Sequence, residues 1–134
     1  MSTFHLQIVT PDGSFYDGQA EKLIVPALKG EMCVLANHIP FVTSLTAGRA
    51  AVVTEDGQRR LAACSGGMVA VTKDVVRLVA TTFEWADSID VARAHRAKDE
   101  AQRRIKAAKN ATDLELAKAK LSRALVRIKT ASSN

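Results

Sequence analysis

All seven glycines and all three prolines of this chain lie before Ala86, and none follows it. A tail without these turn formers, rich in alanine and charge, suits the α-helix best. The stretch before it alternates runs of β-branched residues with turn chemistry every eight to twelve positions, which suits short antiparallel strands. The expected fold is therefore a flattened β-sandwich or barrel over residues 1–86, followed by an antiparallel two-helix hairpin over residues 87–134. At 134 residues and 47% apolar content, the chain can bury a modest core.

The strand signals are specific. FHLQIVT ends at Pro11-Asp12-Gly13, and EKLIVPAL ends at Lys29-Gly30-Glu31. RAAVVTEDGQRRLAACSGG reads as a hairpin closed at Asp56-Gly57, and MVAVTKDVVRLVATTF as another around Lys73-Asp74. The Ser65-Gly66-Gly67 stretch resembles a phosphate nest, but between two strands it fits a bulge or a close backbone approach better.

In the tail, Val91, Ala94, Ala97, Ala101, Ile105 and Ala108 recur in steps of three and four, as do Leu114, Ala117, Leu121, Ala124 and Ile128. Each helix thus has one narrow apolar stripe. Thr112 with Glu115 is the expected capping box of the second helix, and the terminal Ala131-Ser132-Ser133-Asn134 is expected to fray. Because the stripes are mostly alanine, at about 25 cal/mol per Å² the hairpin needs a second surface to be stable.

Charge divides the chain at the same place. Residues 1–86 hold 7 Lys+Arg against 8 Asp+Glu, a net of −1, and residues 87–134 hold 12 against 6, a net of +6, which together recover the +5 of the whole chain. The basic tail has no aromatic residue to stack on a base and interleaves its cations with acids, which argues against nucleic acid. A free-standing nucleic-acid-binding β-domain with a basic helical tail is the alternative reading. Alanine stripes likewise lack the bulky residues that membrane-surface helices insert. With the hairpin turn near Asn110 and Ala111, Arg93 comes opposite Arg127, and Arg96 or Ala97 opposite Arg123. Such a cluster needs either a phosphate or a carboxylate network of Asp87, Asp90 and Glu84, and both remain open.

Other chemistry is thinly represented. No Walker-type or dinucleotide-binding glycine loop follows a strand, and no nucleophile stands at motif spacing from His38, which reads as a surface loop histidine. A self-contained enzyme and a metal site are not expected. Cys33 and Cys64 form no metal-binding spacing and are expected to be reduced and buried. The sequence has no apolar run long enough to span a membrane, and its opening residues do not have the order of a signal peptide, so a cytosol-like compartment is expected.

Four stretches in order, VTPDG (9–13), GEMCVLANHIPFVT (30–43), SGGMVAV (65–71) and IDVARA (89–94), followed by the alanine-rich hairpin, resemble the epsilon subunit of the rotary ATP synthase. Met32-Cys33 and Ala36-Asn37 stand where Leu-Gly and Pro-Gly are commoner in that family. The resemblance implies a non-catalytic rotor subunit that binds gamma and the proteolipid ring. It implies a peripheral location on the cytoplasmic face of the cell membrane or the equivalent plastid face, with no direct membrane insertion. It further implies that Glu31 touches the ring, that His38 touches gamma, and that the hairpin moves between a folded state and an extended state. In the extended state the hairpin lies between alpha and beta subunits, where Arg103, Arg104 and Lys106 meet an acidic beta loop and ATP hydrolysis is inhibited. ATP is implied as a regulatory ligand, with no obligatory cofactor, through Ile89, Asp90, Arg93 and Ala94 together with Glu84, Arg123 and Arg127. Glu100 replaces an arginine carried by the stronger ATP binders.

Overall fold

The computed structural model describes residues 2–133. Its strands are β1 (Phe4–Thr10), β2 (Gly13–Ala27), β3 (Gly30–Leu35), β4 (Phe41–Ser44), β5 (Gly48–Thr54), β6 (Arg59–Ser65), β7 (Met68–Val71), β8 (Val76–Val79) and β9 (Thr82–Trp85). A short 3₁₀ turn at Ala86–Ser88 leads into α1 (Val91–Ala107) and α2 (Ala111–Ser132). The ladder runs β4-β7-β8-β1-β2-β5-β6-β9, with β3 added to β2, and of these pairings only β1 with β8 is parallel. Hairpins close at the two expected turns, Gly57 taking φ 84° in the first.

β2 joins the layers. Its first half pairs with β1 and its second half with β3 and β5, and the register shifts between Ala20 and Lys22, where the partners change. Folding the ladder over brings the alternate residues Leu6 and Ile8, Leu23 and Val25, and Val69 and Val71 into one sealed core with Leu78, Val34 and Val52. Ser65-Gly66-Gly67 is the close approach expected, because a Cβ on Gly67 would fall 1.9 Å from the Val79 carbonyl oxygen.

Three local expectations are corrected. Cys64 is buried, but Cys33 is exposed: Val34 faces the core, so the alternation along β3 turns Cys33 the other way. α2 is capped two residues before Thr112. Asn110 is its N-cap, its side-chain oxygen accepting from Asp113 N at 2.8 Å while its amide donates to the Asp113 carboxylate. The C-terminus is helical rather than frayed as far as Ser132, with Ser133 as cap, and Asn134 lies outside the described residues.

The two stripes meet as an antiparallel hairpin. Ala94 and Ala101 of α1 and Ala117 and Ala124 of α2 are buried, and the other stripe residues are half-buried except Val91. α2 also lies against β5, β6 and the 3₁₀ turn, which supplies the second surface.

Candidate functional site

Strand register places Arg49 of β5 opposite Ala63 of β6, and Ala63 opposite Glu84 of β9. Directly paired residues share a face, so these three side chains form one row across the sheet. The neighbours Ala50, Ala62 and Cys64 face the core, and the row faces outward. Ala63 is nevertheless buried, as is Ala51 on the same strands, because α2 lies over them. Small side chains let the helix come close to the sheet.

α2 meets the row with Arg127, Thr130 and Ser133, three residues apart and on one helix face. At one end Arg127 Nε and Nη2 donate to the two Glu84 carboxylate oxygens at 2.6 and 3.2 Å. This is the fork geometry that makes arginine–carboxylate pairs specific. Both side chains are about two-thirds buried, at 29% and 30% exposure, and the hydrogen bond from Arg127 to Glu84 is the main cause of the rise in its guanidinium pKa, with the Asp90 charge adding to it. At the other end Arg49 Nη1 donates to Ser133 Oγ at 2.7 Å. Between them Thr130 is fully buried, and its hydroxyl has no hydrogen-bond partner among the described residues.

Beside this clasp, between α2 and strands β6 and β9, is a groove of about 330 Å³. Arg123 and Arg127 line it with Glu84, Ser65, Thr82 and Asp12, and Phe15 and Phe83 form an apolar wall with ring centroids 5.5 Å apart. Arg123 has no carboxylate at ion-pair distance among the described residues. Thus Glu84, Arg123 and Arg127 come together. Arg93 lines a different groove, on the outer face of α1 with Arg96, Asp99, Glu100 and Arg103. Asp90 serves as N-cap of α1, accepting from Arg93 N at 3.0 Å, while Ile89 and Ala94 are buried.

Glu100 is engaged within its own helix. Arg103 and Arg104 donate to it at 2.6 and 3.1 Å and hold its carboxyl below the ordinary range, the Arg103 hydrogen bond being the main cause. These three residues and Lys106 are exposed.

Glu31 stands at the start of β3 and His38 in the loop that follows its end, both exposed. Glu31 follows the exposed Leu28 (69%) across the β2–β3 turn. His38 donates through Nδ1 to Ile39 O at 3.0 Å and stacks near Phe41, beside Ile39 (77% exposed) and Val42 (65%). Exposed apolar side chains thus stand beside each of them, Leu28 near Glu31 and Ile39 with Val42 near His38.

Sequence reasoning missed Arg49, Ala51, Ala63, Thr130 and Ser133. A signal was present: the consecutive small apolar residues Ala50-Ala51 and Ala62-Ala63-Cys64 break the alternation of a one-sided strand and indicate cover on both faces.

Comparison with known proteins is consistent over the whole chain. A family described as "ATP synthase, Delta/Epsilon chain, beta-sandwich domain" matches residues 3–86, and its companion "long alpha-helix domain" matches residues 87–132. The ATP synthase epsilon chain of Caldanaerobacter subterraneus is 38% identical over 130 residues, covering 97% of this chain and 94% of that one. That of Bacillus velezensis is 41% identical over 133 residues, covering 99% and 100%. Among solved structures, a chain of the Euglena gracilis mitochondrial ATP synthase superposes with a TM-score of 0.83 at 20% identity, covering all of this chain and 83% of that one.

Proposed function

The chain belongs to the delta/epsilon family of ATP synthase subunits, and from that membership we propose that it is a non-catalytic central-stalk subunit whose hairpin regulates ATP hydrolysis. Exposed apolar side chains near Glu31 and near His38, on the two sides of β3, suit two different partners. Glu31 beside Leu28 faces the proteolipid ring, and His38 beside Ile39 and Val42 faces gamma. None of the described helices is long and apolar enough to cross a membrane, which fits peripheral attachment through those partners at the cytoplasmic face.

The observation that carries the regulatory reading is the way α2 is held. Its contact with the sandwich includes a fork ion pair, one further hydrogen bond, two small alanines and a buried hydroxyl that has no partner among the described residues. Polar pairs and small side chains of this kind suit a helix that docks and is released. Released, α1 and α2 extend between alpha and beta subunits, where Arg103, Arg104 and Lys106 meet acidic surface and block hydrolysis. ATP is a regulatory ligand of the docked state, with the anion groove at Arg123 and Arg127 as its contact. A ligand bound to the docked state alone shifts the hairpin toward it by the difference in affinity.

A tagged chain recovered from membrane extract tests the assignment. Gamma and the catalytic subunits are expected to co-purify. Recovery of the chain alone, or with nucleic acid that dissociates at high salt, overturns the proposal.

A further inference from the structure

We propose that Arg49 is a latch for the hairpin: the sandwich supplies α2 with the C-terminal cap that its own sequence lacks, and the last turn of α2 is held only while the helix is docked. This rests on the reading that α2 docks on the sandwich and is released. The last four carbonyls of a helix have no partner within it, and a common remedy is a glycine in the left-handed conformation just beyond the end. This chain has no glycine after Gly67, and Ser133, the C-cap of α2, stays right-handed at φ −88° and ψ −6°. Two serine hydroxyls serve instead. Ser132 Oγ donates to Ile128 O at 2.9 Å, and Ser133 Oγ donates to Lys129 O at 2.8 Å.

The single proton of the Ser133 hydroxyl is committed to Lys129 O, so its oxygen is left as an acceptor, and Arg49 Nη1 fills it at 2.7 Å. A charged donor, a hydroxyl and a carbonyl at the helix end thus form a chain running in one direction, in which each hydrogen bond polarises the next. The charge is well placed. A helix C-terminus carries roughly half a negative charge, and α2 has only Lys129 as a basic residue in its last turn. Arg49 has no carboxylate at ion-pair distance among the described residues, which leaves its guanidinium to the helix end. The row Arg49, Ala63 and Glu84 carries a positive charge at one end and a negative charge at the other, and α2 lies on it with Arg127 against Glu84 and its own negative end against Arg49. A slip of one helical turn, about 5.4 Å, breaks both matches. Arg49 does not line the groove at Arg123 and Arg127, and its contact with α2 involves no ligand.

Amide hydrogen exchange of the full chain, native against Arg49→Ala, Ser133→Ala and the double variant, tests this. Amides from Lys129 to Ser133 are expected to exchange about three- to fivefold faster in Arg49→Ala than in the native chain, with the core strands unchanged. Because Arg49 acts through Ser133, the double variant should exchange no faster than Ser133→Ala alone. Unchanged exchange in Arg49→Ala, or losses that add in the double variant, overturns the latch and leaves release of the hairpin standing. A native α2 that exchanges no faster than the core strands overturns release, and the latch with it. Should Arg49→Ala loosen the strands as well, Arg49→Gln, which keeps the aliphatic stem and removes the charge, serves the same comparison.

Discussion

Thr130→Val keeps the β-branched shape, the side-chain volume and nearly the same helix propensity while removing one hydroxyl. In the docked hairpin that hydroxyl is fully buried, lies on α2 between the two ends of the clasp, and has no hydrogen-bond partner among the described residues. When α2 leaves the sandwich, water satisfies it. Docking therefore carries the desolvation cost of an unpaired polar group, about 1 to 2 kcal/mol, and valine removes that cost. The docked-to-released ratio should rise by a factor of about 5 to 30. Hydrogen exchange of the α2 amides reads this directly: protection in the second half of the helix should increase by that factor, while the core strands change little. In the assembled enzyme the same variant should show weaker inhibition of ATP hydrolysis. Unchanged or reduced protection would refute the reasoning, because it would mean that the hydroxyl has a partner in solution.

Reversing charge at Arg103, Arg104 and Lys106 should weaken inhibition and leave assembly intact, as hydrolysis assays at two salt concentrations will show; unchanged inhibition would make these residues a solvated face. Hydrogen bonds from Arg103 and Arg104 hold the Glu100 carboxyl below the ordinary glutamate range in the folded chain, so the pairing contributes above the unfolded pKa and is lost as pH falls through the folded one. Helical circular dichroism of the native chain should therefore decline below about pH 4.5 more than that of Glu100→Gln, by a small amount because the pair is exposed. An aqueous thiol reagent should modify Cys33 rapidly and Cys64 only after denaturation, since burial pushes the Cys64 thiol up to about 12.

What could be read in advance is what local chemistry decides. Asp56-Gly57 and Lys73-Asp74 mark tight turns whatever surrounds them, and the stripes of α1 and α2 follow from helical period alone. Where a choice depends on register, the sequence is less informative. Cys33 and Val34 are adjacent and both apolar, and only the pairing of β3 with β2 decides which one faces the core. The cap of α2 moved to Asn110 because its amide side chain can both accept from Asp113 N and donate to the Asp113 carboxylate, a competitor that the Thr112–Glu115 pattern conceals.

The candidate site divides in the same way. Glu84, Arg123 and Arg127 were legible through resemblance and charge crowding. Arg49 and Ser133 are 84 positions apart and meet only because β5 pairs with β6 and α2 folds back over both. Arg93 lines a groove with Arg96, Asp99, Glu100 and Arg103 and not the one at Arg123 and Arg127. How α1 is turned against α2 decides this, and a charge count does not contain it.

The division of labour between sandwich and hairpin is tested most directly by assembling the enzyme with a chain ending at Ala86 and measuring ATP hydrolysis beside the full-length protein. The sandwich has its own sealed core, and removing the hairpin uncovers mainly Ala51, Ala63 and the Glu84 carboxylate, so the shortened chain should fold, bind gamma and support hydrolysis at least as fast as the full chain. Failure to assemble, or hydrolysis slower than with the intact hairpin, would contradict the assignment of attachment to the strands and restraint to the helices.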